Sequence, residues 1–178
     1  PDGTLLITTG DAQAPANSQD LTSGAGKILR TNPDGSVPTD NPFVGNPNAN
    51  PYVYTFGHRN VFGLAFHPTT GRAYITENGP QCNDEVNLLI PGSNYGWGPT
   101  QTCSTPPNPP SNTNRDGPNP VPPIAWYGSA IAPTGLAFYE ATNSSWQNSV
   151  LVGDWNRGAL QKLNLGGADF DIVLGTES

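Results

Sequence analysis

Charged side chains are scarce in this sequence. Only 12% of its 178 residues are Asp, Glu, Lys or Arg, about half the share found in an average globular domain. Coiled coils, long surface helices and charged disordered tails all need dense charge, so the composition excludes them. The 7 Lys and Arg stand against 14 Asp and Glu, for a formal charge of −7. Because phosphate binding needs clustered cations, nucleic acid and anionic membranes are disfavoured as partners.

Long apolar runs and methionine are missing as well. Val86 to Ile90 is typical of the apolar runs that exist, and it is far too short to span a membrane. No signal peptide is visible, and the lack of methionine leads us to expect that Pro1 is not the natural start. The two histidines, His58 and His67, have no Ser or Cys partner in a nucleophile motif, so a hydrolase triad is not supported.

Glycine and proline are abundant instead, with 21 and 20 copies. With hydrophobic residues at 34% and aromatic residues at 9%, this composition indicates a packed, turn-rich chain rather than disorder. The segment GLAF at 63–66 recurs at 135–138. Each repeat holds four short β-branched or aromatic runs separated by Pro and Gly turns, which predicts a four-stranded antiparallel sheet.

Such units, arranged radially, form a β-propeller. The sequence therefore predicts an all-β fold of about three blades with almost no α-helix. The predicted blades are 1–57, which lacks its first strand, then 58–128 with a Pro-rich loop at 98–122, and 129–178. Three blades do not close a ring. Either the remainder of the propeller lies outside this chain, which we favour, or a second copy completes the ring.

The turn at 57–60 is rich in polar side chains. The guanidinium of Arg59 and the carboxamide of Asn60 stand side by side, and this pair suits a planar polyanion because Arg offers bidentate donors and Asn both donates and accepts. An ordinary ion pair of a surface loop is the alternative for Arg59.

The segment Asn78-Gly79-Pro80 and the nearby Asp84 offer hard oxygen ligands. Oxygen-only ligands suit Ca²⁺ better than Zn²⁺, and the spacing is not that of an EF-hand. A plain turn capped by Asn is the alternative.

Cys82 and Cys103 are the only cysteines. Their spacing does not suit zinc, and a disulfide between them would close a loop of about twenty residues and stabilise the fold by about 3 kcal/mol. A disulfide would indicate a secreted or periplasmic protein. Two free buried thiols are the alternative.

Several longer motifs resemble one known family, the soluble PQQ-dependent glucose and aldose sugar dehydrogenases, also called the glucose/sorbosone dehydrogenase family. The motifs are GKILRTNPDGS at 26–36, GHRN at 57–60 before GLAF, ENGP at 77–80 through DEVN at 84–87 to NYGW at 94–97, and IAPTG at 131–135. They occur in the family's order and extend over nearly the whole chain.

This resemblance implies a six-bladed propeller that holds PQQ and Ca²⁺ on one rim and oxidises the C1 hydroxyl of aldose sugars to lactones. A small sugar and an electron acceptor would be its partners. The chain would then be about three of the six blades. A noncatalytic propeller that binds protein or glycan is the alternative, and a calcium-dependent lactonase shares the fold.

The resemblance also assigns roles to individual residues. Arg59, Asn60 and Asn78 match positions that contact the quinone cofactor. The backbone carbonyls of Gly79 and Pro80 match the ligands of the active-site calcium.

Asp11 matches the acid that orients the catalytic histidine, and that histidine would precede Pro1. The late arginines of the cofactor site would follow Ser178. Where some members carry a cofactor-binding Lys, Asn156 or Arg157 stands here. We therefore expect the 178 residues alone to be inactive.

Overall fold

The computed structural model describes residues 2–100, 103, 115–141 and 144–177. Over these residues the fold is all-β, with three antiparallel sheets and one four-residue helix, α1 at Ala16–Gln19. The all-β class and the near absence of helix are therefore confirmed. Most of the Pro-rich stretch within the predicted loop 98–122 lies outside the described residues, and the predicted blade boundaries stay a prediction.

The first sheet has three strands in the order β1-β2-β3, namely β1 at Leu5–Thr8, β2 at Lys27–Thr31 and β3 at Val53–Phe56. Strand β2 lies in the middle, and its Ile28 is fully buried. The strands are short because Pro, Gly and Asn turns interrupt each apolar run.

The second and third sheets have four strands each, and each sheet is ordered along the chain. The second contains β4 at Val61–Phe66, β5 at Ala73–Glu77, β6 at Asp84–Leu88 and β7 at Ala125–Tyr127. The third contains β8 at Pro133–Phe138, β9 at Ser149–Asp154, β10 at Ala159–Gly166 and β11 at Ile172–Glu177. The two copies of GLAF lie in β4 and β8, the first strand of each sheet.

The chain divides into two compact units, and each is described here by itself. Unit 1 comprises Pro1–Val61 and Leu89–Pro122, and unit 2 comprises Phe62–Leu88 and Pro123–Ser178. In unit 1 the segment that follows Ile90 pairs with the end of β3. The backbone N–H of Phe56 donates to the Ser93 carbonyl at 3.1 Å, and that of Tyr95 donates to the Phe56 carbonyl at 2.8 Å.

Unit 2 has an apolar core built from alternate residues of its strands. Alternation is expected because successive side chains of a strand point to opposite faces. Each fully buried Val or Leu stabilises the fold by about 1.5–3 kcal/mol. The core residues are Tyr74, Val86, Leu88, Val150, Val152, Leu163 and Leu165.

His67 belongs to the packing of unit 2. Its ring stacks on Phe170 with centroids 4.2 Å apart and meets the edge of Phe138 at 5.0 Å. Burial lowers the pKa of His67, which keeps the imidazole neutral among these rings.

Candidate cofactor and metal site

The residues predicted to form the site fall into two clusters, one in each unit. The first cluster, in unit 1, contains Asp11, Arg59, Asn60 and Trp97. The backbone N–H of Asp11 donates to the Arg59 carbonyl at 2.8 Å, and the Trp97 indole N–H donates to Asp11 Oδ2 at 2.9 Å. The Arg59 guanidinium carbon lies 5.5 Å from the centroid of the Trp97 ring. The carboxylate and the guanidinium are thus joined through one indole.

A glycine shapes the turn that carries Arg59. Gly57 has φ +77°, and a Cβ there would lie 2.7 Å from the Gly96 nitrogen and would also collide with Asn94 Oδ1. Only glycine combines this backbone conformation with so close an approach. The 94–97 segment can therefore press directly against the turn, and it places Trp97 beside Arg59.

The next residue, His58, fixes the turn from the other side. Its backbone N–H donates to the Gly26 carbonyl at 3.2 Å, and its own carbonyl accepts from the Ser18 hydroxyl at 2.6 Å. The ring is fully buried and stacks on Tyr95 at 4.6 Å, within hydrogen-bond distance of the Thr55 hydroxyl. These contacts indicate that His58 is a structural residue of the turn.

A buried cation supports the same region. Lys27 is fully buried, and its ammonium donates to the carbonyls of Asn17, Ser18 and Ala25 at 2.7, 3.1 and 2.8 Å. Desolvation lowers the pKa of Lys27 to about 8. The ammonium therefore ties the end of helix α1, which contacts the Gly57–His58 turn, to strand β2.

The second cluster, in unit 2, is organised by Asp84. This carboxylate is 1% exposed. Its Oδ1 accepts from the Gly79 N–H at 2.7 Å, and its Oδ2 accepts from the N–H groups of Ile131 and Ala132 at 2.7 and 2.9 Å. One side chain thus joins two loops, and it fixes the backbone of the segment predicted to hold calcium.

The loop from Gly79 to Asn83 is tight. A Cβ on Gly79 would collide with the Cys82 carbonyl, and Asn83 adopts φ 59°, which is uncommon for a residue other than glycine. The Asn83 side-chain oxygen accepts from the Trp126 indole N–H at 2.9 Å. This contact helps to hold the unusual conformation.

Asn78 is one of the residues that line a cavity of unit 2. Its side-chain N–H donates to the Pro133 carbonyl at 2.9 Å. The cavity has a volume of about 390 Å³. It is lined by Phe62, Asn78, Ala132, Pro133, Thr134 and Trp155.

Asn156 and Arg157 follow β9 and differ in what they contact. The Asn156 side chain donates to the Ala130 carbonyl at 2.8 Å, so it lies on the loop that Asp84 also holds. Arg157 instead turns back to Asp154, with Nη1 3.2 Å from Oδ2. Of the two, only Asn156 is directed towards the second cluster.

The cysteines form the predicted disulfide, since Cys82 and Cys103 are bonded to each other and neither thiol is free. The bond closes the loop predicted from the sequence and begins two residues after Pro80. The alternative of two free buried thiols is wrong.

The sequence analysis did not identify three aromatic residues that lie in the clusters or line the cavity. Trp97 lies within the NYGW motif, yet its contact with Asp11 spans 86 residues of chain. Phe62 and Trp155 were also missed, because an isolated aromatic residue carries no sign that it will stay exposed. The NYGW motif was the sequence signal that could have identified Trp97 as part of the site.

Two observations concern ligands and membranes. In residues 2–100, 103, 115–141 and 144–177, no group of three or more His, Cys, Asp or Glu side chains converges as a metal site. Over the same described parts of the chain, no helix is long and apolar enough to cross a membrane.

Comparison with known proteins places the chain in a family. The glucose/sorbosone dehydrogenase family matches residues 1–174, and the chain belongs to it. The aldose sugar dehydrogenase YliI of Escherichia coli is 30% identical over 155 residues, which cover 85% of this chain and 42% of that protein.

Solved structures agree with this assignment. A glucose dehydrogenase structure superposes with a TM-score of 0.84 at 35% identity, covering 98% of this chain and 50% of that one. The PQQ-bound form of an aldose sugar dehydrogenase from Streptomyces coelicolor gives a TM-score of 0.74 at 31% identity, covering 99% and 46%. The chain thus spans about half the length of these relatives.

Proposed function

We propose that this chain is part of a quinoprotein oxidoreductase that oxidises the C1 hydroxyl of aldose sugars to lactones with PQQ and Ca²⁺. The observation that carries the proposal is the Asn78–Pro80 segment. It is fixed by the buried Asp84 and lies beside a cavity, in a chain whose structure is similar to that of a PQQ-bound aldose sugar dehydrogenase. We further propose that the three sheets are three blades of a six-bladed propeller, which the 50% coverage of a solved relative supports.

The residues of the second cluster fit a calcium ion. Ca²⁺ prefers oxygen ligands and accepts backbone carbonyls, and Gly79 and Pro80 supply these from a loop whose shape is fixed by Asp84. Asp84 was predicted as a ligand. Because both of its oxygens accept backbone N–H groups, we propose that it positions the two carbonyls, and its direct ligation stays a prediction.

The residues of the first cluster fit an anionic planar cofactor. The half-buried Arg59 lies over Trp97, and a guanidinium is a group that binds carboxylates in a bidentate way. Asn60 adds a carboxamide that donates and accepts, and the cofactor contact predicted for Asn78, which belongs to the second cluster, stays a prediction. Asn156 is favoured over Arg157 as a further contact, because Arg157 is paired with Asp154.

When bound, PQQ supplies a two-electron acceptor, and Ca²⁺ acts as a Lewis acid that polarises it. Asp11 would orient a histidine that takes the hydroxyl proton, and that histidine would come from residues outside this chain. A carboxylate in this role fixes the tautomer of the imidazole. The indole of Trp97 holds the Asp11 carboxylate in one orientation.

The Cys82–Cys103 disulfide supports an exported location, because disulfides persist in oxidising compartments. We propose that the protein is secreted or periplasmic, and that the remainder of the propeller, rather than a second copy, completes the ring.

Reconstitution tests the proposed activity. The protein encoded by the complete reading frame is mixed with PQQ and Ca²⁺, and aldose-dependent reduction of a dye is followed. We expect turnover that requires both additions, with the omission of either as control. Lack of sugar oxidation by the fully supplemented protein would overturn the proposal. The 178 residues alone are expected to be inactive, and measurable turnover would contradict that expectation.

A noncatalytic binding module is the second candidate. It is favoured by one observation: the segment that carries a cofactor-binding Lys in some members holds Asn156 here, and the adjacent Arg157 is paired with Asp154. Equilibrium binding of PQQ separates the two candidates, since only the enzyme is expected to bind it.

A further inference from the structure

We propose that helix α1, held by the ammonium of Lys27, positions the residues of the first cluster, and that Lys27 is a positioning residue of the proposed oxidation. This inference rests on the function proposed above. It assigns a role to Lys27 and to α1, neither of which is among the predicted site residues.

Asp11 lies in a segment whose backbone needs support from outside. Ala12 and Gln13, which follow it, have φ 58° and 61°, a conformation that is rare outside glycine and persists only where the surrounding structure enforces it. The Gln13 N–H donates to Asp11 Oδ1 at 2.9 Å. Helix α1 supplies outside support, because the Asn17 side chain donates to the Asp11 carbonyl at 3.1 Å. The position of the Asp11 carboxylate therefore depends on α1.

The other segments of the first cluster contact the next two residues of α1. The Ser18 hydroxyl donates to the His58 carbonyl at 2.6 Å, and the Ser18 carbonyl accepts from the Gly57 N–H at 2.9 Å. The Gln19 side chain donates to the Trp97 carbonyl at 2.7 Å. One helical turn therefore joins the three segments whose side chains make up the first cluster, and all of them belong to unit 1.

A helix of four residues does not hold such a position by itself. Isolated helices of this length are unstable in water, and the N-cap residue Pro15 makes no side-chain capping hydrogen bond. The last carbonyls of a helix also need partners from elsewhere. Lys27 is such a partner, because its ammonium donates to the Asn17 and Ser18 carbonyls. The helix is thus stabilised by a side chain of strand β2.

The hydrogen bonds of the Lys27 ammonium are complete. An ammonium has three N–H donors, and the third partner is the Ala25 carbonyl at 2.8 Å. Lys27 and Ser18 are both fully buried, so water cannot readily replace a lost contact. Loss of the ammonium would therefore displace α1 and the segments that contact it. A displacement of about 1 Å at a reacting group can lower a rate about 100-fold.

Substitution of Lys27 in the protein from the complete reading frame tests the proposal. We expect Lys27→Met to weaken PQQ binding and to lower kcat by about 10- to 100-fold each, with a smaller change in the KM for the sugar. The resonance of the Trp97 indole N–H, assigned with Trp97→Phe, should also move, because its acceptor is Asp11. Each variant is measured at a temperature at which it is folded.

Lys162→Met is the matched control. Lys162 is the other lysine of the chain, and it is 6% exposed. It lies in unit 2, where its ammonium pairs with Glu177 at 3.1 Å. This variant should bind PQQ, oxidise sugar and show the Trp97 resonance as the unchanged protein does.

Gln19→Met is a second variant that tests one contact of α1 alone. It removes the donor to the Asn94 side chain and to the Trp97 carbonyl, and it keeps Lys27 with its three carbonyl partners. We expect the Trp97 resonance to move and PQQ binding to weaken a few-fold, less than in Lys27→Met. This variant decides the question if Lys27→Met does not fold.

The outcomes separate this inference from the proposed function. If Lys27→Met lowers only the unfolding temperature and keeps the Trp97 resonance, the PQQ affinity and kcat, the inference is overturned. The inference is equally overturned if Lys27→Met does not fold and Gln19→Met behaves as the unchanged protein. If the unchanged protein does not bind PQQ, the proposed function fails, and the Trp97 resonance of the variants still decides whether α1 holds the first cluster in place.

Discussion

The two clusters are held in place by different kinds of contact. In unit 1, side chains contact one another: Asp11 accepts from the Trp97 indole, and Arg59 lies over the same ring. In unit 2, one buried carboxylate contacts three backbone N–H groups. The first arrangement brings a carboxylate and a guanidinium to one indole, and the second fixes the backbone of two loops through their N–H groups. This difference is consistent with the proposal of an anionic organic ligand in the first case and a hard cation in the second.

The comparison predicts that unit 2 is the more sensitive to loss of a single carboxylate. Asp84→Ala removes the acceptor of three N–H groups and leaves them buried without it. Since hydrogen bonds to charged groups contribute about 1.5–3 kcal/mol each and are not additive, we expect a loss of about 3–5 kcal/mol in the free energy of unfolding. Urea denaturation measures it.

Asp171→Ala is the control for this change, because Asp171 is exposed and belongs to the same unit. It should change the free energy of unfolding by less than about 0.5 kcal/mol. A loss of similar size in both variants would show that the Asp84 contacts do not hold the loops.

In unit 1 the most sensitive position is a glycine rather than an acid. Gly57→Ala would place a Cβ against Asn94 and Gly96 at a positive φ. We expect a loss of about 2–4 kcal/mol, which combines about 1–2 kcal/mol for the conformation with the cost of moving the 94–97 segment. Thermal unfolding and near-ultraviolet circular dichroism of Trp97 report the change.

Gly35→Ala provides the matched comparison. Gly35 also has a positive φ, at +85°, but nothing lies within 4 Å of a Cβ built there. This variant should show the conformational cost alone. Equal losses at Gly35 and Gly57 would mean that the close approach of the 94–97 segment contributes nothing.

Because Lys27 is buried, we expect the stability of unit 1 to depend on pH in the alkaline range. Its pKa is lowered to about 8 in the folded protein, whereas an unfolded Lys titrates near 10.4. The unfolded state then binds more protons between these values, so the free energy of unfolding should rise from about pH 8 to about pH 10.4. The rise should amount to at most about 3 kcal/mol.

Urea denaturation at several pH values, with Lys27→Met as the control, measures this dependence. The variant should lack the rise over that window. The stability of the unchanged protein could instead fall over this pH window as steeply as that of the variant. That result would show that the three carbonyl contacts keep the ammonium charged and that the pKa of Lys27 is little lowered.

The motifs and the apolar runs were enough to predict much of the fold. The runs around Val86 and Val150 became strands, the two GLAF segments became the first strands of their sheets, and Cys82 paired with Cys103. These features depend on local pattern or on a count of two cysteines. They could therefore be read without knowledge of distant contacts.

The roles within the clusters could not be read in the same way. Asp84 looked like a ligand because a carboxylate beside Gly and Pro suits calcium, but its N–H partners at 131 and 132 lie 47 and 48 residues away. The burial of Lys27 could not be predicted either. Its ammonium is held by three backbone carbonyls, and every residue type has a backbone carbonyl, so the sequence does not indicate which ones will bind it. Contacts of this kind depend on how loops meet after folding.

The smallest effects are expected at the two indoles that brace the clusters. Trp97→Phe removes the donor to the Asp11 carboxylate, and Trp126→Phe removes the donor to the Asn83 carboxamide. A charged acceptor makes the stronger hydrogen bond, so we expect a loss of about 1.5–3 kcal/mol for Trp97→Phe and about 1 kcal/mol for Trp126→Phe. Thermal unfolding of both variants measures the difference.

Calcium titration should show the opposite order, because Trp126 contacts the loop of Gly79 and Pro80 through Asn83, whereas Trp97 contacts only unit 1 residues among the partners described. A larger loss of calcium affinity in Trp97→Phe would contradict the division of tasks between the two clusters.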